Sequence, residues 1–154
     1  MKDSIKIIGH ISVVHKDKDG IVKATREVDN TIANASFAAL SGLAGGVGSE
    51  NAFDYIALGT GTTGSTANDT SLESEIGDTG LDRAQVTPTQ ETTTETDDTT
   101  QLVKEWTATG SKAVTECGVL NAASSGILFG RQVFSALNVI SGDKIKITYK
   151  FKFS

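Results

Sequence analysis

The sequence predicts a mainly β protein, an antiparallel β-sandwich of jelly-roll type with one short inserted helix. Residues 101–109, 112–121, 126–140 and 143–153 alternate apolar and polar side chains, as half-buried strands do, and follow one another at roughly ten-residue spacing. Sixteen glycines and an excess of threonine favour short strands joined by tight turns, since threonine suits strands and glycine allows positive φ. The 154 residues fit a single domain with one core.

The N-terminal segment, residues 4–28, predicts a β-hairpin. Ile7, Ile11 and Val13 fall on one face of its first strand, where the alternation favours burial, and the other face is mixed. Asp17-Lys-Asp-Gly20 is a turn signal, and a second strand follows it. We therefore expect two antiparallel strands at the start of the chain.

The only substantial helix is predicted over residues 31–44. Here the period changes, and apolar residues lie three and four apart at Ile32, Ala35, Ala39 and Leu43. Asn30 or Thr31 can serve as the N-cap, and Gly45-Gly46 ends the helix. The alanine-rich surface of this helix favours close packing against a sheet.

A glycine-rich loop follows the strand predicted over 53–58. Gly59-x-Gly61-x-x-Gly64 matches the dinucleotide-binding fingerprint literally, but that chemistry needs a long helix next, whose N-terminus holds the pyrophosphate. The chain continues instead with polar turn formers, which favours a tight surface loop. Thr70-Ser-Leu-Glu73 has the spacing of a capping box and predicts a short helical turn over 71–76.

The segment 87–100 is almost wholly Thr, Glu, Asp and Gln, a composition that buries nothing. We expect either an exposed arm or one solvated strand of a hairpin. Four of its carboxylates could bind a divalent cation weakly, although solvated charge on an exposed segment needs no ion. They are Glu91, Glu95, Asp97 and Asp98.

The last predicted strand alternates almost without fault. Its apolar face consists of Ile145, Ile147, Tyr149, Phe151 and Phe153. Its other face consists of Lys144, Lys146, Thr148, Lys150 and Lys152. This lysine face has two interpretations: a solvent-facing surface that discourages edge-to-edge aggregation, or an electrostatic contact with an acidic partner.

Composition argues against several classes of function. The net charge of −5 disfavours a nucleic-acid-binding surface, and no apolar run approaches the ~20 residues of a membrane span. The single cysteine excludes an intramolecular disulfide and a cysteine-based zinc site, and we expect Cys117 to be a buried thiol. Trp106 is expected to fill the core. We expect no cofactor and no enzymatic activity, and a chain made in the cytoplasm.

Three blocks of the sequence resemble the small virion structural proteins of tailed bacteriophages and related viruses. The first is Asp29-Asn-Thr-Ile32 with its alanine-rich helix, and the second runs from Tyr55-Ile-Ala-Leu-Gly-Thr-Gly through Asp69-Thr-Ser-Leu-Glu to Arg83. The third, Val114–Phe134, resembles the pattern I-T-E-x-G-L-F-N-A, turn, L-x-A-R-x-x-F, and is followed by Gly142-Asp-Lys-Ile-Lys-Ile. Cys117 stands where this pattern usually has a small residue.

The resemblance implies an antiparallel β protein of the virion that works by assembly, often as a homotrimer. Capsid decoration (cement) proteins, which bind the major capsid protein, share these blocks with tail, neck and fibre components. The short chain favours decoration, and the tail, neck or fibre role stands as the alternative. A carbohydrate-binding module or adhesin is a further alternative of a different class.

For the assembly contacts we predict the glycine-threonine loop, the acidic segment and two arginines, which can pair bidentately with carboxylates across an interface. The predicted residues are Gly59, Gly61, Thr62, Gly64, Arg83, Glu91, Glu95, Asp97, Asp98 and Arg131.

Overall fold

The computed structural model describes residues 4–154, and over this range nine strands and one helix follow one another. Strands Ile7–Lys16 (β1) and Val22–Ile32 (β2) precede helix Ser36–Gly45 (α1). The later strands are Tyr55–Gly59 (β3), Ala84–Gln85 (β4), Thr89–Glu91 (β5), Thr99–Thr107 (β6), Lys112–Leu120 (β7), Leu128–Val139 (β8) and Lys144–Phe153 (β9). The predicted class, mainly β with one short helix, is confirmed, as are the N-terminal hairpin and the four C-terminal strands.

The strands form one antiparallel sheet with the order β4-β3-β7-β8-β2-β1-β9-β6-β5. The two edge strands, β4 and β5, are separated along the chain by only Val86-Thr87-Pro88. The sheet therefore curls until its edges approach each other, and its inner face encloses the main core. Phe129 of β8 packs on Phe151 of β9 across this core, with ring centroids 4.1 Å apart.

The apolar residues that alternate along β1 and β9 form part of the main core. Ile11 and Val13 of β1 and Ile145 and Ile147 of β9 are fully buried, and the residues between them are more exposed. Trp106 is also buried there, with its Nε1 donating to the carbonyl of Asp82 at 2.8 Å. Cys117 is buried as predicted.

Helix α1 begins later than the sequence predicts. Asn30 and Thr31, the predicted N-caps, belong to β2, and the observed N-cap, Ala35, makes no side-chain capping hydrogen bond. The predicted end is confirmed, because Gly46 adopts the left-handed conformation with φ of 63°. In the described part of the chain, no helix is long and apolar enough to cross a membrane.

The threonine-rich segment forms a hairpin, the second of its two predicted alternatives. Thr89 of β5 pairs with Gln101 of β6, and β6 continues along β9. Strand β9 thus lies between β1 and β6, inside the sheet. The interpretation of its lysine face as protection for a sheet edge is therefore wrong, because β9 has no free edge.

Asp143 joins the β1–β2 and β8–β9 turns at one end of the sheet. Its buried carboxylate lies 2.8 Å from His15 Nε2, accepts from Lys23 Nζ at 2.9 Å and accepts from the Ile140 amide at 3.2 Å. Burial opposes ionisation, but the hydrogen bonds from Lys23, His15 and Ile140 outweigh it and lower the pKa of Asp143 to about 2. The ionised carboxylate therefore stabilises the folded state.

We predict that Asp143→Asn destabilises the protein by on the order of 1–2 kcal/mol at neutral pH. Because the folded-state pKa is depressed, this contribution is present above pH ~4 and is lost as pH falls through ~2. Urea unfolding of both proteins across this range measures it. Asp19→Asn, in the neighbouring exposed turn, is the control. Parallel pH profiles for the wild type and Asp143→Asn would contradict the prediction.

A small polar group lies inside the core near Tyr149. The Asn30 side chain occupies the space left by Gly9 and Gly130, where an added Cβ would overlap it. The buried Tyr149 hydroxyl faces the Asn30 amide, but within residues 4–154 neither group makes a hydrogen bond of accepted geometry. Burial, with the nearby Cys117, raises the pKa of Tyr149.

We predict that Tyr149→Phe changes the free energy of unfolding by less than about 0.5 kcal/mol, or increases it, because the hydroxyl loses water without gaining a partner. Tyr149→Leu should destabilise by roughly 2–4 kcal/mol through lost packing, which shows that the assay responds at this position. Urea denaturation measures both. A loss above about 1.5 kcal/mol for Tyr149→Phe would mean that the hydroxyl is hydrogen-bonded in solution.

Candidate functional site

A long loop, residues 60–76, covers the outer face of β3, β7 and β8. Val114 to Leu120 of β7 are all buried, so this strand is covered on both faces. Leu72 of the loop packs directly on Gly118, where a Cβ would lie 2.7 Å from the leucine Cδ1. A second apolar cluster forms under the loop, separate from the main core: Ala33, Ala57, Leu72, Leu120 and Leu128.

The Glu116 carboxylate lies beneath this loop and is fully buried. Its Oε1 accepts from the amides of Gly61 at 3.0 Å and Ser74 at 2.8 Å. Its Oε2 accepts from the Glu73 amide at 3.1 Å and from Arg131 Nε at 2.6 Å. Three loop amides and one guanidinium thus satisfy a charge whose burial is otherwise strongly unfavourable.

Arg131 extends the same network on the other side. Its side chain is 4% exposed, and it donates to Asp69 Oδ2 at 2.8 Å and to the Thr63 carbonyl at 3.0 Å. Glu73 lies 3.4 Å away and itself accepts from the Thr63 amide at 2.7 Å. Burial disfavours the charge, but Glu116 and Asp69 outweigh it and raise the pKa of Arg131. We call Asp69, Glu73, Glu116 and Arg131 the loop network.

The glycines of the dinucleotide-like motif serve this network. A Cβ on Gly59 or Gly61 would overlap the Glu116 carboxylate, so both positions exclude larger side chains. Residues 60–76 contain no helix, and the predicted helical turn at 71–76 is wrong. Glu73 accepts from Thr63 instead of capping a helix at Thr70. The anion beside the glycine loop is therefore the Glu116 carboxylate of the protein itself.

An open groove of about 440 Å³ lies above the loop network. Apart from Leu72, its lining is polar: Thr63, Asn68, Asp69, Thr70, Ser71, Glu73 and Arg131. The carboxylates of Asp69 and Glu73 already accept from Arg131 and loop groups, and hydrogen bonds from Thr63 lower the pKa of Glu73. No group of three or more metal-ligating side chains that could hold an ion occurs in residues 4–154. The groove presents a fixed polar surface suited to contact.

Both predicted interface arginines are engaged within the chain. Arg131 is in the loop network. Arg83 pairs bidentately with Glu75 at 2.8 and 2.6 Å, and it also donates to the carbonyls of Ala122 and Ser125 at 2.8 Å. Their predicted pairing across an interface requires these intramolecular contacts to open. Gly59 and Gly61 are buried as well, whereas Thr62 and Gly64 are exposed.

The predicted acidic residues lie on the β5–β6 hairpin. Glu91 pairs with Lys150 at 2.6 Å. Asp98 accepts from the amides of Thr93 and Thr94, both at 2.9 Å, and from that of Glu95 at 3.0 Å. Burial opposes its ionisation, but these amides outweigh it and lower the pKa of Asp98. Its carboxylate thus orders the turn, and Glu95 and Asp97 remain exposed there.

The sequence pattern identified neither Glu116 nor Asp69 as a site residue, and it assigned Glu73 to a capping box. One signal was available, because Glu116 is the only charged residue between Lys112 and Arg131. A lone carboxylate in an otherwise apolar strand needs a buried partner. The identity of that partner depends on strand register, which places Arg131 opposite Gly118, two residues after Glu116.

The chain matches no family model, and comparisons with curated proteins and with solved structures found no significant match.

We predict that Glu116→Gln destabilises the protein by about 3–5 kcal/mol, because it leaves the buried Arg131 charge without its closest carboxylate. Glu105→Gln is the matched control, since Glu105 pairs at 3.0 Å with Lys16 on the surface and should contribute less than about 1 kcal/mol. Urea unfolding at neutral pH measures both. Equal effects of the two substitutions would show that the loop network is not a buried ion pair in solution.

Proposed function

We propose that this protein is a structural component of a tailed-virus particle, and specifically a capsid decoration protein that binds neighbouring subunits of the major capsid protein. The observation that carries the proposal is that residues from different resembling blocks contact one another. Gly59 and Gly61 from the second block contact Glu116 from the third, and Arg131 contacts Asp69. Residues far apart in sequence thus form one unit, which supports a shared architecture.

The physical character of the surface supports a binding role. The loop network fixes residues 60–76, and Thr62 and Gly64 of this loop stay exposed for contact. The hairpin turn that Asp98 organises presents Glu95 and Asp97 in the same way. The proposed protein needs no cofactor, is made in the host cytoplasm, and forms a homotrimer as it joins the virion. A jelly-roll sandwich is the proposed classification of its curled sheet.

A tail, neck or fibre component is the alternative within the same class. It shares the resemblance and the rigid loop, and it differs in the number of copies per particle. Decoration requires a copy number comparable with that of the shell protein, whereas a tail or neck component needs only a few to tens of copies.

We predict that this chain is present in purified virions at a ratio to the major capsid protein close to stoichiometric. Quantitative mass spectrometry of particles with labelled peptides from both proteins measures the ratio. A ratio of a few per cent would assign the chain to the tail or neck, and its absence from particles would reject the virion proposal. A known tail protein, quantified in the same sample, calibrates the low end.

A further inference from the structure

Two exposed apolar surfaces lie near opposite ends of β8. The turn surface consists of Ile21, Val22 and Ile140, which are 66%, 54% and 56% exposed. Ile140 lines a surface cavity together with residues of the β1–β2 turn, and Asp143 holds the two turns together through His15 and Lys23. The turn surface is therefore a fixed patch formed by two joined turns.

The helix surface is the second patch. Phe37 and Leu43 of α1 and the following Val47 are 52%, 43% and 66% exposed. No charged residue occurs between Asp29 and Glu50, so the exposed face of α1 is uncharged. The Ala33 amide donates to the carbonyl of Phe129, which places this region beside the start of β8. β8 has twelve residues, so the two surfaces lie roughly 35 Å apart.

Free positive charge lies beside the turn surface. Two acids there are paired, Asp143 with Lys23 and Glu105 with Lys16. Asp17 accepts from two backbone amides of its own turn and keeps one negative charge, which is fewer than the two positive charges of Lys144 and Lys146. Asp19 and Lys18 lie 3.7 Å apart and offset each other. Lys144 and Lys146 form no ion pair with any side chain of residues 4–154. The surface therefore has a net positive border.

Free negative charge follows α1 along the chain. Between Arg26 and Arg83 the sequence contains nine acidic residues and no lysine or arginine. Six of these carboxylates pair within the chain with His10, Arg83, Lys112 or Arg131. Glu50 and Asp54, which follow α1, accept only from the neutral amides of Asn121 and Gln85 in the described residues.

We propose that copies of this protein associate head to tail, with the turn surface of one copy bound to the helix surface of the next. Each surface supplies apolar area, and the Lys144–Lys146 border of one meets the Glu50–Asp54 border of the other. Two helix surfaces paired about a two-fold axis would bring Glu50 and Asp54 of both copies together. Two turn surfaces paired about such an axis would bring Lys144 and Lys146 of both copies together.

A second copy fits the helix surface better than a membrane or a nucleic acid does. Anionic lipids and phosphates are repelled by the acidic border of α1. The turn surface of this chain, in contrast, offers the apolar area and the opposite charge together. The inference concerns the purified protein and does not rest on the virion assignment, which the copy-number measurement tests separately.

The test is sedimentation equilibrium of the full chain between about 10 μM and 1 mM, the range of a weak interface. The weight-average mass of the wild type should rise above 16.1 kDa with concentration and pass that of a dimer. High salt should reduce the association, since it screens the charged borders. Ile140→Asp and Phe37→Asp should each remain at the mass of a single chain. Val103→Asp, at a similarly exposed apolar position on β6, is the matched control and should behave as the wild type.

A mixture of the two variants makes the test decisive. Ile140→Asp keeps an intact helix surface and Phe37→Asp keeps an intact turn surface, so together they should form a dimer and nothing larger. This result also shows that both variants are folded. The proposal is overturned if the wild type stays at the single-chain mass at every concentration. It is also overturned if only one variant loses association, or if the mixture stays monomeric.

Discussion

The buried Glu116 carboxylate accepts four hydrogen bonds, three from the loop above it and one from Arg131. An ionised carboxylate is stable in the interior only when its lone pairs are satisfied and its charge is offset. The loop, the guanidinium and the glycines are therefore required together. Without Gly61 the loop amide cannot approach, and without Arg131 the carboxylate has no counter-charge.

An arginine side chain also connects β2 and β8 where their backbone pairing has ended. The β2–β8 ladder contains only two residue pairs, Thr31 with Arg131 and Ile32 with Gly130. Farther along, Arg26 donates from Nε to the carbonyl of Ser135 at 3.1 Å and from Nη2 to that of Ala136 at 3.3 Å. Its guanidinium thus satisfies carbonyls of β8 beyond the ladder. The curl of the sheet is compatible with such gaps because a long side chain spans them.

The strands could be predicted from the sequence because an alternating face is a local property, visible in β1 and β9 without knowledge of their neighbours. The start of α1 and the conformation of segment 71–76 could not be predicted, because contacts with other parts of the chain override local capping signals. Asn30 belongs to β2, and Glu73 accepts a hydrogen bond from Thr63. The site was only partly predictable. Glycine-rich spacing identified the loop, but Arg131 meets Glu116 through the register of β7 and β8, which no local pattern encodes. The motif that carries the resemblance therefore reports a requirement of the fold.

The pairing of β1 with β9 also has a consequence for folding. Ile7 lies opposite Phe153 and Lys16 opposite Lys144, so two strands that are far apart along the chain pair side by side. Asp69 and Glu73 likewise contact Arg131, which lies 62 and 58 residues farther along the chain. Contacts of such long sequence separation slow folding, because the chain must close a large loop before any of them stabilises it. The hairpin of β1 and β2 is local and can form first, whereas the main core closes only when β9 has paired with the other edge of β1.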